Sequence, residues 1–214
     1  MSLQSDGGQR ELILQVATRL FAALGYDGTS ARQIAEAAGV DVATIKREIG
    51  DKRDIYLAVM DQAYQMMKEV LDAAAAEFQE TRSIHLVLDR YLDFCVETPE
   101  IISIWIHRWL SDALDVGDLE QRYIMPLSAM FVEAFSDHLR HSEADVEYMI
   151  WTIIWCCDGF VKGGVMEIDG RLHRASEPET LERFRRHMHR LVHRHFGLPG
   201  EPPAGESMLP LGRR

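Results

Sequence analysis

The chain has 214 residues, of which 47% are hydrophobic and 27% charged; that is enough apolar material for a full core and too much for a disordered polypeptide. Its longest apolar run, Met149 to Cys157, is interrupted by Thr152 and falls well short of the roughly 20 residues that a membrane-spanning helix needs. A formal net charge of -11 argues against a phosphate-rich partner, yet residues 1–60 carry seven Lys/Arg against eight Asp/Glu, so the acidity belongs to the rest of the chain. Three cysteines cannot all pair within one chain, and MSLQSDGGQ has neither a basic head nor an apolar stretch, so a reducing cytoplasm is the expected compartment.

Hydrophobic spacing predicts helix after helix and no strand alternation, about nine helices in all. The first carries a stripe of Leu12, Ile13, Val16, Ala17, Leu20, Phe21 and Leu24, closed by Gly25. Ser30 and Gln33 form a capping box for a short second helix that Gly39 ends, and Asp41 caps a third short helix to about Ile49. A long fourth helix runs from about Lys52 to Glu80, and Ser83 and Pro99 open the next two. A seventh, from about Leu119 to His141, contains Pro126 and is expected to kink or truly begin there. Ser142 with Asp145 caps an eighth helix to about Ile168 that is apolar on nearly every side. Ser176-Glu177-Pro178-Glu179 starts the last, and from Gly197 onward four of the seven prolines mark a flexible tail.

Residues 30–49 form the sharpest signal. Ala35 is small where two helices would cross closely, Gly39 permits the turn, and Ile34, Val40, Ile45 and Ile49 would fill the wedge between them. With Ile45 and Ile49 inward, a 3.6-residue period turns Ala43 and Arg47 outward, flanked by Val42, Thr44 and Lys46. Such a small, polar and basic face suits a major groove about 12 Å wide, with Arg47 able to reach guanine. Ser30, Arg32 and Lys52, each at a helix start, suit phosphate contacts.

At Phe21-Ala-Ala-Leu-Gly-Tyr26, Thr29-Ser30, Ile34-Ala-Glu-Ala-Ala-Gly-Val40 and Lys52-Arg-Asp-Ile-Tyr-Leu-Ala-Val59, the chain resembles the tetracycline-repressor (TetR) family over about Glu11 to Met60. The resemblance implies an all-α homodimer, with an N-terminal helix-turn-helix domain (1–52) on a palindromic operator and a helical effector-binding and dimerisation domain (53–196) ahead of the tail (197–214). By resemblance, the protein is a repressor that a small molecule releases from DNA, without a cofactor and without catalysis. Lys46 and Glu48 depart from the family pattern, which favours a tyrosine and then an aromatic residue or histidine; Glu48 would repel phosphate unless it pairs with Lys52.

The remaining candidates follow from chemistry as well as from resemblance. Met67, Trp105, Trp109 and Trp151 are expected to line an apolar effector site, with His107 as a polar anchor. Glu133 is a second such anchor. The net charge of residues 61–214 favours a neutral or cationic effector over a polyanion. Ile153, Phe160, Leu181, Phe184, Met188 and Leu191 are expected to form the dimer interface. His189 and His193 have the i,i+4 spacing of a metal pair, which keeps a metal-responsive regulator as an alternative, but the arginine-rich helix around them reads as a solvated basic face and no metal is expected. Phosphate loops, HExxH, GxSxG and CxxC are all missing from the sequence, which ranks an all-helical enzyme with a vestigial helix-turn-helix below a regulator.

Overall fold

A computed structural model describes residues 3–81, 83–130, 132 and 145–203. The described chain is all-α apart from one small hairpin: α1 (Leu3–Leu24), α2 (Ala31–Ala38), α3 (Val42–Glu48), α4 (Lys52–Thr81), α5 (Ile84–Glu97), α6 (Pro99–Trp109), helical backbone over 119–130, α7 (Val146–Gly163) and α8 (Pro178–His195). Among the described residues, no helix is long and apolar enough to cross a membrane. Glu133 and Ser142 lie outside the described residues, as does the end of the helix expected to reach His141. Ahead of Pro126, Glu120–Ile124 widens into a π-helical turn, an irregularity of the kind that a residue lacking an N–H and crowding the preceding turn imposes.

The chain divides into two compact units, one comprising the helices up to Met66 together with Glu100–Tyr123, the other comprising Met67–Pro99 and the described residues from Ile124 onward. In the first, Ile13, Leu14, Ala17 and Phe21 of α1 enclose Ile34, Ala35 and Ala38 of α2, Ile45 of α3, and Ile55, Tyr56, Val59 and Met60 of α4. Phe21, Tyr26 and Tyr56 meet as an aromatic cluster, with Phe21 edge-on to Tyr56 at 5.1 Å and Tyr26 4.8 Å from Tyr56. The inward stripe of α1 is rotated from the expected one. Leu12 and Leu24 are exposed and Leu14 is fully buried, because the core faces the arc through residues 13, 14, 17 and 21.

In the second unit α5 packs against both α7 and α8, and α7 and α8 meet through Phe160 and Phe184, whose rings stack at 3.9 Å. Three of the residues assigned to a dimer interface are therefore used within the chain: Ile153, Phe160 and Met188 are buried, Met188 completely. Leu181, Phe184 and Leu191 remain half-buried. α8 keeps the expected basic face, with Arg183, Arg190 and Arg194 exposed, but Arg185, His189 and His193 on its other side are buried. α7 ends five residues earlier than the spacing suggests. Gly164, at φ 72°, turns the chain back so closely that a Cβ there would lie 2.2 Å from the His173 carbonyl. Val165–Met166 then pairs antiparallel with Leu172–His173, strands too short to show an alternating pattern in sequence. The start of α8 also differs: Glu177, not Ser176, is the N-cap, its carboxylate drawn to His173 at 2.9 Å and to the Arg174 N–H at 3.1 Å.

The helix-turn-helix caps form as the sequence predicts. The Gln33 N–H donates to the Ser30 hydroxyl at 3.2 Å, and the Ser30 N–H donates to the Gln33 side chain at 2.8 Å. Gly39, at φ 68°, ends α2, with its own N–H returning to Glu36. Ser30→Ala should therefore cost about 0.5 to 2 kcal/mol of unfolding free energy, read as a lower urea midpoint with an unchanged slope.

Candidate nucleic-acid interface

α3 has seven residues, far below the roughly 12 to 15 at which an isolated helix becomes even marginal, so its place is set by its ends and its one fully buried side chain, Ile45. At its start the Thr44 N–H donates to the Asp41 carboxylate at 2.6 Å. Hydrogen bonds from Thr44, first its side chain and then its backbone, hold the Asp41 carboxyl below its ordinary range. Val42, Ala43, Lys46 and Arg47 are exposed and Thr44 is partly so, which reproduces the expected outward face. Ser30 and Arg32 are exposed at the start of α2.

Glu48 has a different partner from the expected one. Arg47 lies along it, Nε donating at 2.9 Å and a terminal nitrogen 2.8 Å from the same carboxylate oxygen. The adjacent pair closes because Arg47 is long and mostly exposed, whereas Lys52 is engaged elsewhere. Lys52 Nζ donates to the Tyr26 carbonyl at 3.0 Å and stands 4.0 Å over the Tyr26 ring. Assigned from sequence to phosphate, Lys52 thus also pins the turn between α1 and α2. An ammonium has three N–H donors, so phosphate contact and this role are compatible.

Sequence reasoning missed the residues that hold this turn from the other side. Asp112, in the loop after α6, accepts the Tyr26 N–H at 2.6 Å and the Asp27 N–H at 2.9 Å. His107 Nε2 lies 3.2 Å from the Ala22 carbonyl, so the residue expected to anchor an effector instead binds the end of α1. Arg108 secures the loop, donating to the Ala113 carbonyl at 2.6 Å and gripping Glu120 with two nitrogens at 2.8 and 3.1 Å. Some 85 residues separate Asp112 from its partners, and no local pattern reports such a pairing. Of the effector candidates, Trp105 packs against the core of the first unit. Trp109 is half-buried in that unit, and Met67 and Trp151 are half-buried in the second.

A capped helix pair joined by an αL glycine, its second helix presenting a small basic face, defines a helix-turn-helix protein with a separate helical body. Residues 13–59 match the family model described as bacterial regulatory proteins, tetR family. The HTH-type transcriptional repressor AcnR of Corynebacterium glutamicum is 37% identical over 62 residues, 29% of this chain. That match spans a third of the relative's length. Among solved structures, a TetR family transcription regulator from Marinobacter aquaeolei superposes with a TM-score of 0.57 and 22% identity, covering 78% of this chain and 90% of its own. A putative TetR family regulator from a Shewanella species gives 0.62 at 14% identity, covering 86% and 95%. HlyIIR, a hemolysin II transcriptional regulator, gives 0.56 at 21% identity, covering 72% and 87%. Residues 13–59 thus carry the DNA-binding domain of the tetR family, and the described chain shares the fold of the TetR family regulators it superposes on.

Asp112→Ala should leave α2 and α3 helical while the Tyr26 and Asp27 amides lose their acceptor. Hydrogen exchange at those two amides should then accelerate by at least an order of magnitude, with α5 and α8 unchanged.

Proposed function

We propose that this protein is a homodimeric transcriptional regulator that binds a palindromic DNA site through α3 and represses until a small-molecule effector is bound. The observation that carries the reading is the outward face of α3, with Ala43, Lys46 and Arg47 exposed above a buried Ile45. AcnR, similar over 62 residues, is a repressor. In the dimer, two copies of α3 must stand about 34 to 36 Å apart to enter successive major grooves on one face of the duplex. Arg47 reads guanine, Thr44 and Val42 border the bases, and Ser30, Arg32, Lys46 and Lys52 meet phosphates. The Arg47–Glu48 pair must open first, so Glu48 restrains non-specific binding.

Selection of genomic fragments with the purified protein should enrich a two-fold symmetric sequence; recovery of none would overturn the proposal. On that site Arg47→Ala should cost about 1 to 3 kcal/mol and relax one symmetric pair of positions, whereas Lys46→Ala should weaken all sequences alike and lower the salt slope by about 1. Glu48→Gln should tighten binding to non-specific DNA severalfold, measured by fluorescence anisotropy at fixed salt.

The dimer uses what the second unit leaves uncovered, half-buried Leu181 and Leu191 together with exposed Tyr148 and Trp155. Leu191→Glu should give monomers in sedimentation and abolish operator binding, although it lies far in sequence from α3. The effector is a neutral or cationic hydrophobic molecule, in keeping with the acidity of residues 61–214. Substituting Trp105, Trp109 and Trp151 by leucine one at a time identifies which of them report on it: a binding residue alters the effector concentration that releases DNA, by linkage, and a packing residue does not.

A further inference from the structure

Three histidines and an aspartate in the second unit form one buried line of hydrogen bonds. Asp89 Oδ1 lies 2.8 Å from His189 Nε2, His189 Nδ1 lies 2.8 Å from His85 Nδ1, His85 Nε2 lies 3.3 Å from His193 Nδ1, and His193 Nε2 lies 3.0 Å from the Gly200 carbonyl. His189 is fully buried and His85 and His193 nearly so. The rings follow one another, centroids 4.8 and 5.5 Å apart, between α5 and α8.

Protons can be counted along this line. Both its ends, a carboxylate and a peptide carbonyl, only accept, and each of the four links needs one proton between its two heavy atoms. Three neutral imidazoles carry one N–H each, which is one proton too few. With three, a lone pair must face a lone pair somewhere along the line, most cheaply at Gly200, where the acceptor is uncharged. With four, every link closes. We propose that the second unit binds a single proton in this histidine line, and that the proton ties the segment after α8 to the helical body through His193 and Gly200.

The surroundings suit that ligand. On α5 the line faces Asp89 and Asp93, and on α8 it faces Arg185, which donates to both carboxylates, to Asp89 at 2.7 Å. Arg185 divides one positive charge between two carboxylates, and an imidazolium at His189 gives Asp89 a second counter-charge. Burial, and then the neighbouring His189 and His193, push His85 down to about 4, so the middle ring stays neutral, and a fifth proton on the line would set two N–H groups against each other. With His189 as the cation, His85 and His193 both carry their proton on Nε2 and all four links are satisfied. From α7, Asp158 belongs to an adjoining group with Tyr91 and Cys95, and burial raises its carboxyl to about 6. A metal ion does not fit the line: two imidazole nitrogens on one zinc, each at about 2.0–2.1 Å, stand more than about 3 Å apart, whereas His85 and His189 approach to 2.8 Å.

The linkage has a definite sign. The Gly200 link is present while the proton is bound and is lost as pH rises and the proton leaves, and the segment from Gly197 to Pro203 then keeps its other contacts, such as the Leu198 N–H donating to the His193 carbonyl at 3.0 Å. The test uses the full-length chain labelled with nitrogen-15 in histidine, titrated from about pH 5 to about pH 8. Ring-nitrogen NMR should show His85, His189 and His193 sharing one transition of a single proton, with four ring N–H groups below it and three above. Across the same transition, amide exchange at residues 197–203 should accelerate several-fold beyond its intrinsic pH dependence. His193→Ala should remove that dependence, and His187→Ala, at an exposed position of α8, should keep it. Three independent titrations, neutral rings at every pH, an unchanged exchange rate at 197–203, or stoichiometric zinc displacing the ring protons would each overturn the proposal.

Discussion

The position of α3 depends on the peptide unit and ring of Tyr26. Its N–H is held by Asp112, its carbonyl by Lys52, and its ring sits beneath the Lys52 ammonium and against Tyr56. Thr29 secures the same turn by donating its hydroxyl to the Gly25 carbonyl at 2.7 Å. A helix as short as α3 contributes little to its own formation, and α2 is hardly longer. Both inherit their orientation from this turn, from their caps, and from Ile34 and Ile45 in the shared core. Asp112 ties the loop after α6 to this same turn, and with it to the seat of α2 and α3.

Charge is handled differently in the two units. At α3 it lies at the surface, where water weakens each pair and where Arg47 can exchange Glu48 for another anion at little cost. Between α5 and α8 it is buried, and there every charged group is fixed by geometry: Arg185 to two carboxylates, Asp89 to Arg185 and His189. Breaking such a set by removing one member leaves an uncompensated charge in a medium that solvates it poorly. Exposed charge suits a surface that must bind and release a polyanion, and buried charge suits a packing that must adopt one register.

Much of the first unit was legible from sequence because its determinants are local. Capping boxes, αL glycines and a 3.6-residue stripe each act over four or five residues, and Ser30, Gln33, Gly39, Asp41 and the outward arc of α3 all stand where those rules put them. The rotation of α1, exposing Leu12 and burying Leu14, was not legible, since a leucine's spacing fixes its helix face and not which face meets the core.

What the sequence by itself determined is the all-α class, the helix-turn-helix and its basic face. What only the tertiary structure decided is which partners the distant polar residues meet. The arginine- and histidine-rich helix reads as solvated all round until α5 brings Asp89, Asp93 and His85 against one side of it, and Met188 and Phe160 read as interface residues until α5, α7 and α8 close over them. Asp112, likewise, is one aspartate in a loop until the fold sets it on the turn at Tyr26. The reason is physical: helix periodicity and capping are set by neighbours along the chain, whereas burial and electrostatic pairing are set by neighbours in space, here some 85 to 105 residues away.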